Sequence, residues 1–323
     1  MNDILLSIRG LKTYFYTYRG IVHAVDGVEF TINNGEVVGL VGETGCGKSC
    51  TALSIMRLIQ DPGKIIGGEV IFRGRNLLEI SEDEMKKIRG KEISMIFQNP
   101  TTSLNPVFKI KNQIIETIFE HQDIKKDDAA KQAVKWLEAT GISSPYERIE
   151  NYPHEFSSGM QQRIMIGIAL SCNPSLLIAD EPTTALDVTT QAQILDLLIN
   201  LKKEYGMSIL YITHNLGVIA EICNKVAVMY AGKIFEFADV IKIFKNPLHP
   251  YTEGLLRALP KKSKVEKLQE IPGVVPPLID PPLGCRFYSR CDKSKEICRN
   301  AEPKMLEIEP NHFVACHIVS KSR

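Results

Sequence analysis

The eight residues Gly42-Glu43-Thr44-Gly45-Cys46-Gly47-Lys48-Ser49 decide the fold of this chain. They fit the pattern G-x-x-x-x-G-K-[ST], in which glycines let backbone N–H groups approach a phosphate closely. The apolar run Val37–Val41 before them predicts a buried strand, and residues 49–59 after them have the periodicity of a helix. Because the N-terminal end of a helix also attracts anions, this order of strand, loop and helix predicts a phosphate-binding loop.

Each residue type in the loop suits a phosphate site. The Lys48 ammonium is expected to contact the outer phosphates of a nucleotide, and the Ser49 hydroxyl is expected to ligate Mg²⁺. The other residues predicted to line the phosphates are Gly42, Glu43, Thr44, Gly45, Cys46, Gly47 and Cys50. The segment therefore predicts a bound nucleotide with Mg²⁺.

Composition limits the partners and the compartment. The 323-residue chain has 39 Lys and Arg against 38 Asp and Glu, so it lacks the basic excess typical of nucleic-acid or anionic-membrane binding. Its length allows one large domain with an appendage, or two domains. The first residues lack the basic region and apolar core of a signal peptide, and no apolar stretch reaches the length of a membrane span. We therefore expect a cytoplasmic protein without a nucleic-acid partner.

Patterns around the loop predict an α/β core with two further parts. Residues 4–40 alternate apolar and polar positions, which predicts an antiparallel sheet, and residues 107–170 have helical periodicity, which predicts a helical insert. An apolar strand over residues 175–181 delivers Asp180 and Glu181 at its carboxyl end, where ligands of parallel sheets bind. Asp180 is expected to contact Mg²⁺, and Glu181 to orient or deprotonate an attacking water.

Aromatic residues are dense just before a turn at Gly20. One of them, with Tyr18 as a candidate, or Arg19 is expected to stack on the base of the nucleotide. Packing in the core and across strands explains most of the other aromatic residues in this stretch.

The segment Phe156-Ser157-Ser158-Gly159-Met160-Gln161-Gln162 resembles the signature motif of ATP-binding cassette (ABC) ATPases. Further motifs of that family follow in order: Gln98 matches the Q-loop glutamine, Thr184-Ala185-Leu186-Asp187 the D-loop and His214 the switch histidine. The resemblance spans residues 4 to about 240. It implies an ABC-type domain over residues 1–246, with a helical subdomain at about 100–170, that hydrolyses ATP with Mg²⁺.

Members of this family work as head-to-tail pairs. The resemblance implies that Ser157, Ser158 and Gly159 present a helix N-terminus to the γ-phosphate of the ATP that the partner holds. It also implies that His214 contacts the γ-phosphate and the attacking water, that Gln98 contacts Mg²⁺ and senses a membrane subunit, and that Asp187 crosses the interface. The family usually has glycine where Ser158 stands, and the extra side chain either crowds the phosphate or adds a donor.

The last part of the chain resembles one group of ABC ATPases, those of peptide and nickel importers. His249-Pro250-Tyr251 resembles the HPY segment beyond the cassette of peptide and nickel importer ATPases, and the last cysteines with residues 284–291 resemble the end of di- and oligopeptide permease ATPases of the D type. We expect a C-terminal extension (residues 247–323) that is proline-rich, mostly loop, and too poor in apolar residues to build its own core.

Four cysteines in this extension have five, six and seventeen residues between them, namely Cys285, Cys291, Cys298 and Cys316. In a cytoplasmic protein such a group indicates a metal site rather than disulfides. Four thiolates suit a 4Fe–4S cluster or tetrahedral Zn²⁺, and the lack of paired two-residue spacing favours the cluster. His312 and His317 are second-choice ligands, and four free thiols are the remaining interpretation.

These features favour the ATPase subunit of an importer of di- or oligopeptides. We expect it at the cytoplasmic face of the membrane, bound to two permease subunits and paired with a second ATPase that is either different or identical. An extracellular solute-binding protein would act indirectly. One alternative is an importer of nickel or another small solute. Others are a soluble ABC ATPase acting on DNA or ribosomes, and a metal-binding regulator, which would leave Asp180, Glu181 and His214 unexplained.

Overall fold

A computed structural model describes residues 3–99, 103–184, 186–259 and 271–319. The chain divides into two compact units. The first comprises Met1–Asn33, Val37–Leu78 and Ile212–Arg323, and the second comprises Asn34–Glu36 and Glu79–Tyr211. The predicted domain boundary at residue 246 thus falls inside the first unit.

The regular elements of the described residues are as follows in chain order. The strands are β1 (Ile4–Thr17), β2 (Gly20–Asn33), β3 (Val37–Val41), β4 (Gly63–Phe72), β5 (Arg75–Asn76), β6 (Ile93–Ile96), β7 (Leu176–Asp180), β8 (Ser208–Thr213), β9 (Lys225–Tyr230), β10 (Lys233–Asp239), β11 (Leu306–Glu309) and β12 (His312–Val314). The helices are α1 (Lys48–Ile55), α2 (Glu82–Ile88), α3 (Ile110–His121), α4 (Lys126–Ala139), α5 (Pro145–Arg148), α6 (Ser158–Leu170), α7 (Val188–Tyr205), α8 (Leu216–Ile222), α9 (Val240–Lys245), α10 (Pro250–Arg257) and α11 (Glu296–Asn300). None of the helices in these ranges is both long enough and apolar enough to cross a bilayer.

An antiparallel sheet in the first unit contains the residues whose alternation predicts it. Its strands follow the order β2-β1-β4-β5. Leu6 of β1 lies opposite Ile32 and Phe72 on the two neighbouring strands, and all three side chains are buried. Such cross-strand apolar pairs stabilise a sheet that packs one face on the core.

A second group of strands in the first unit holds the phosphate loop. All five residues of β3 are buried, as predicted for the strand before the loop. It runs parallel to β9, which is antiparallel to β10. Helix α1 ends at Ile55, earlier than the predicted residue 59, because Arg57 has a positive φ of 52°, which a right-handed helix does not accommodate.

The second unit contains the helical insert that the sequence predicts, as α3 to α6. In α3 the buried residues Ile110, Ile114 and Ile118 repeat every four positions and form one apolar face. Strands β6 and β7 of this unit pair in parallel, with Ile96 opposite Ala179. Both strands therefore end at the same edge, which brings Gln98 and Glu181 towards each other.

The described residues of the C-terminal extension are mostly loop, as predicted, but they also contain paired strands that the sequence does not predict. Strand β12 pairs antiparallel with β10 and with β11. Strand β10, paired with β9 on its other side, supplies the backbone hydrogen-bond partners of β12, and a short segment cannot show such a long-range pairing in its own pattern.

A buried carboxylate joins the extension to β10. Glu236 is fully buried and accepts hydrogen bonds from the backbone N–H groups of Leu248 (2.8 Å) and His249 (2.9 Å). Its Oε1 also lies 2.7 Å from Nε2 of His312, which is fully buried as well. A buried carboxylate is tolerated when several donors satisfy it, so these contacts fix both ends of the extension to one residue.

Aromatic packing supplies the core that the extension lacks by itself. The ring of Tyr251 lies 4.7 Å from that of Tyr230 and 5.3 Å from that of Phe287, measured between centroids. All three side chains are buried. The extension therefore does not need a core of its own, because its aromatic residues share the core of the first unit. The sequence did not predict this sharing.

The attachment of the extension at His249 can be tested through the pH dependence of stability. Burial lowers the pKa of His249 to about 3, and its Nδ1 accepts a hydrogen bond from the Tyr251 N–H, which a protonated ring would lose. At any pH between this pKa and the unfolded value near 6.5, the unfolded chain binds more protons than the folded chain. The stability that neutral His249 contributes above about pH 6.5 is therefore lost as the pH falls towards 3. His249→Asn keeps an acceptor at the N-cap but has no group that titrates in this range. We therefore expect acidification to lower the unfolding free energy of this variant by about 2–4 kcal/mol less than that of the unmodified chain.

The measurement is chemical denaturation from pH 7 to pH 4. His154→Asn is the matched control, because His154 is exposed. Its pH profile should follow that of the unmodified chain. Equal pH profiles for His249→Asn and the unmodified chain would contradict the assigned role of His249.

Candidate functional site

Two glycines of the phosphate loop lie against other backbone segments of the first unit. A Cβ on Gly42 would lie 2.0 Å from the carbonyl oxygen of Met229. A Cβ on Gly47 would lie 2.3 Å from the carbonyl oxygen of Ala24, and Gly47 has a φ of +108°. Only glycine fits at these two positions, so the loop pattern in the sequence has a direct steric cause.

Lys48 follows Gly47 as the first residue of α1 and is 5% exposed. Its Nζ donates to the carbonyl oxygens of Gly42 (2.8 Å) and Glu43 (3.1 Å), which holds the ammonium against the loop. Ser49 is exposed, as are Thr44 and Gly45, so solvent reaches the outer face of the loop. Thr44, Gly45 and the predicted Mg²⁺ ligand Ser49 are therefore accessible at the N-terminal end of α1, whereas the Lys48 ammonium is buried against the loop.

The two cysteines of this segment are neutral thiols. Burial raises the pKa of Cys46 even though Lys48 lies nearby, and burial raises the pKa of Cys50 to about 12. A neutral, buried thiol is a poor nucleophile. The charges of the loop thus come from Lys48 and Glu43.

Glu181 has a defined orientation at the end of β7 in the second unit. Its Oε2 accepts hydrogen bonds from Nε2 of Gln98 (3.0 Å) and from the hydroxyl of Thr184 (2.9 Å). Its φ is +47°, a conformation that costs energy for any residue except glycine and that often marks a functional position. Asp180 precedes it as the buried last residue of β7. The predicted Q-loop glutamine and the predicted base are therefore in direct contact.

The signature segment begins α6 in the second unit. Ser157 is the N-cap of this helix and accepts a hydrogen bond from the Met160 N–H (3.4 Å). Ser157 and Ser158 are exposed, so the side chain that distinguishes Ser158 from the usual glycine meets no crowding within this chain. A Cβ on Gly159 would lie 2.8 Å from Cγ2 of Thr190, which places the helix start against α7.

Thr190 also contacts Asp187, the predicted D-loop residue. Its backbone N–H (3.0 Å) and hydroxyl (2.7 Å) donate to the Asp187 carboxylate, and these hydrogen bonds lower the pKa of Asp187. Asp187 is thereby the N-cap of α7, within its own chain. Sequence reasoning missed Thr190, although an Asp at the start of a helix with Thr three residues later is a local capping signal.

His214 and Tyr18 are both exposed in the first unit. His214 follows β8, two residues before α8 begins. Tyr18 is 91% exposed between β1 and β2, and Arg19 Nε donates to its hydroxyl (2.8 Å). Tyr14, by contrast, stacks on His23 at 4.0 Å and donates to Asp26, so its ring is used inside the protein. Tyr18 and Arg19 are thus accessible as a stacking pair.

The four cysteines of the extension come near one another. Cys285, Cys298 and Cys316 are buried and Cys291 is half-buried. Burial, together with repulsion from the other three thiols, raises the pKa of Cys285 to about 12. Within the described ranges, however, no three His, Cys, Asp or Glu side chains form a group that could hold a metal ion, so the predicted metal-binding extension has no support in this geometry.

The two histidines suggested as substitute ligands have other partners. Nε2 of His312 lies beside Glu236, and Nε2 of His317 lies 2.9 Å from the carbonyl oxygen of Ala301. The buried position of His312 in β12 explains why it packs against a carboxylate instead of the thiols. These contacts remove the histidines as second-choice ligands in this structure.

Comparison with solved structures identifies the fold of most of the chain. An ATP-binding cassette, MJ0796, in a dimeric post-hydrolysis state bound to ADP and Pi, superposes with a TM-score of 0.65 at 26% identity. The match covers 73% of this chain and 98% of that cassette. The predicted ABC-type α/β core is therefore confirmed.

Sequence comparison extends the match into the C-terminal extension. Residues 25–184 match the family described as ABC transporter, and residues 235–298 match the oligopeptide/dipeptide transporter C-terminal region. A probable peptide ABC transporter ATP-binding protein of Sinorhizobium fredii, y4tR, is 50% identical over 97% of this chain and 95% of its own. The oligopeptide transport ATP-binding protein OppD of Bacillus subtilis is 50% identical over 96% of this chain and 87% of its own. The chain therefore belongs to the peptide ABC transporter family, as its ATP-binding and ATP-hydrolysing subunit.

Proposed function

We propose that this ATPase drives uptake of di- or oligopeptides with Glu181 as its general base. The observation that carries the catalytic assignment is the carboxylate of Glu181, which Gln98 and Thr184 hold by hydrogen bonds. A base fixed in this way can accept a proton from water without a further search of side-chain conformations. Asp180, Ser49 and Gln98 are proposed to contact Mg²⁺. His214 is proposed to contact the γ-phosphate and the attacking water.

The phosphate loop supplies the binding part of this reaction. Backbone N–H groups at the start of α1 and the Lys48 ammonium favour a polyanion, because both bring positive charge to the loop. The chemistry that Mg²⁺ supplies when bound is neutralisation of charge on the transferred phosphoryl group. The exposed Tyr18 and Arg19 are proposed to stack on the adenine.

A partner ATPase is proposed to complete each site. Ser157, Ser158 and Gly159 start a helix of 13 residues and lie at its accessible end, where backbone N–H groups favour a phosphate. The similar cassette MJ0796 is dimeric with ADP and Pi bound, which supports a pair in this chain as well. We propose a homologous but different partner, since Ser158 fits an asymmetric pair, and Asp187 is proposed to lie at the shared interface.

Replacing Glu181 tests the catalytic proposal. Glu181→Gln keeps the shape and the acceptor oxygen but cannot take a proton, so we expect steady-state ATP hydrolysis to fall at least about 100-fold. The dissociation constant for Mg-ATP should change by no more than about threefold, because the phosphate loop is intact. Hydrolysis by coupled assay and nucleotide binding by calorimetry are measured on the purified chain with its partner ATPase.

Glu116→Gln is the matched control, because Glu116 is exposed on α3. It should leave both quantities within about twofold of the unmodified chain. Retained turnover in Glu181→Gln would assign the general base to another residue.

The membrane partners are proposed from the family and from exposed apolar residues near Gln98. Phe97 is 42% exposed, and Val107 and Phe108 of the following loop are 71% and 50% exposed. Exposed apolar surface is frequent at sites of protein contact, and Val107 and Phe108 are adjacent in the sequence. We propose that two permease subunits bind here and hold the chain at the cytoplasmic face of the membrane, with a solute-binding protein acting from outside.

Reconstituted transport distinguishes the proposed solute from nickel. The chain, its partner ATPase and the co-encoded permeases are placed in vesicles with the solute-binding protein, and uptake of labelled peptides and of Ni²⁺ is followed. We expect ATP-dependent peptide uptake that Lys48→Ala abolishes, because this change removes the charge that contacts the phosphates. Uptake of Ni²⁺ alone would favour the nickel importer, and co-purification with ribosomes or DNA instead of permeases would favour a soluble ABC ATPase.

The extension is proposed to bind a 4Fe–4S cluster through Cys285, Cys291, Cys298 and Cys316, with Zn²⁺ as the alternative. Its support is chemical: four cysteines lie within one short segment of the sequence, and four thiolates are the ligand set of such clusters. When bound, the cluster would supply a structural link among the four cysteines, and the charge of its iron atoms would offset that of the thiolates, whose burial is otherwise unfavourable.

Anaerobic purification tests this proposal. We expect a brown protein with about four iron atoms per chain, and loss of the colour in Cys298→Ser, because a cluster of this type needs four thiolates. Cys172→Ser is the control, since Cys172 lies outside the extension in the second unit. About one zinc atom per chain would favour the alternative, and no metal in the unmodified chain would mean four free thiols.

A further inference from the structure

Glu43 of the phosphate loop is held by two residues of the C-terminal extension. Both of its carboxylate oxygens accept a hydrogen bond from Nη1 of Arg290, at 3.1 and 2.9 Å. Its backbone N–H donates to the hydroxyl of Tyr251 (3.0 Å), and its carbonyl oxygen accepts from Lys48 (3.1 Å). One loop residue therefore links the lysine that contacts phosphate to two side chains more than 200 positions later in the sequence.

Arg290 is firmly placed for this contact. Its side chain is 5% exposed, and it also donates to the carbonyl oxygens of Pro272 (2.8 Å) and Ile271 (3.2 Å). Its guanidinium carbon lies 5.7 Å from the ring centroid of Tyr230. Burial opposes the charge, but hydrogen bonds to Glu43 and Tyr230 raise the pKa of Arg290, so this residue carries a positive charge at every relevant pH.

The sign of the charges gives this contact a functional consequence. Glu43 is the acidic residue of the phosphate loop, and a negative charge beside a site for a polyanion repels the ligand. The ion pair is largely removed from water, where charges interact more strongly than at an exposed surface. Arg290 thus offsets the one charge of the loop that opposes nucleotide binding, while Tyr251 holds the backbone of the same residue.

We propose that Arg290 is a positioning residue of the nucleotide site, which neutralises and anchors Glu43 so that the extension sets the affinity for Mg-ATP. The inference rests on ATP binding by the phosphate loop. It makes the extension a working part of that loop, and it holds whether or not the cysteines carry a cluster.

Opposite effects of two single substitutions test the proposal. Arg290→Gln leaves the Glu43 carboxylate unpaired, and we expect the KM for Mg-ATP to rise about tenfold with kcat changed less than about twofold. Glu43→Gln leaves the positive charge of Arg290 beside the loop, and we expect KM to fall or stay unchanged. The double variant removes both charges and should return KM to within about threefold of the unmodified chain. Arg290→Lys, which keeps the charge, should also stay within about threefold.

The controls separate this proposal from a merely structural role. Arg257→Gln removes another arginine of the extension that pairs with a glutamate, and it should leave KM unchanged because its partner, Glu253, lies outside the phosphate loop. The inference would be overturned if the double variant had a KM as high as that of Arg290→Gln, or if Glu43→Gln raised KM. Either result would show that packing alone matters. Should Arg290→Gln fail to fold, Glu43→Gln and Arg290→Lys still decide between the two roles. Absence of Mg-ATP binding by the unmodified chain would instead overturn the ATP site itself.

Discussion

Close approach of backbone to backbone at Gly42 and Gly47 is the constraint on which the phosphate loop depends. The loop turns directly against the carbonyl groups of Ala24 and Met229, at distances that exclude any side chain. This contact fixes where α1 begins and hence where Lys48 lies. Because the interior is closely packed, a change at either glycine must move backbone rather than a flexible side chain.

Buried polar contacts then attach the C-terminal extension to the same unit. Glu236 satisfies donors from Leu248, His249 and His312, so removal of the carboxylate would leave several buried groups without a partner. The rings of Tyr230, Tyr251 and Phe287 add apolar burial next to these contacts. The extension is therefore built onto the nucleotide-binding unit and reaches its phosphate loop through Glu43.

In the second unit, threonine hydroxyls orient the acidic residues of two motifs. Thr184 donates to Glu181 within one turn, and Thr190 donates to Asp187 at the start of α7. These short-range hydrogen bonds restrict the side chains before any partner or nucleotide arrives. The same Thr190 packs against Gly159, so the start of the signature helix and the start of α7 share one contact.

Local patterns in the sequence were sufficient for the loop, the strands beside it, the helical insert and the order of the family motifs, because each depends on neighbouring residues. The sequence also identified the HPY segment and predicted site roles for Gln98 and Glu181, although not their contacts. Only the tertiary structure decided that β12 pairs with β10, that Glu236 meets His312, and that Arg290 neutralises Glu43 across 247 positions. No periodicity or spacing encodes such pairs, because they arise when distant segments are buried together and their polar groups must find partners.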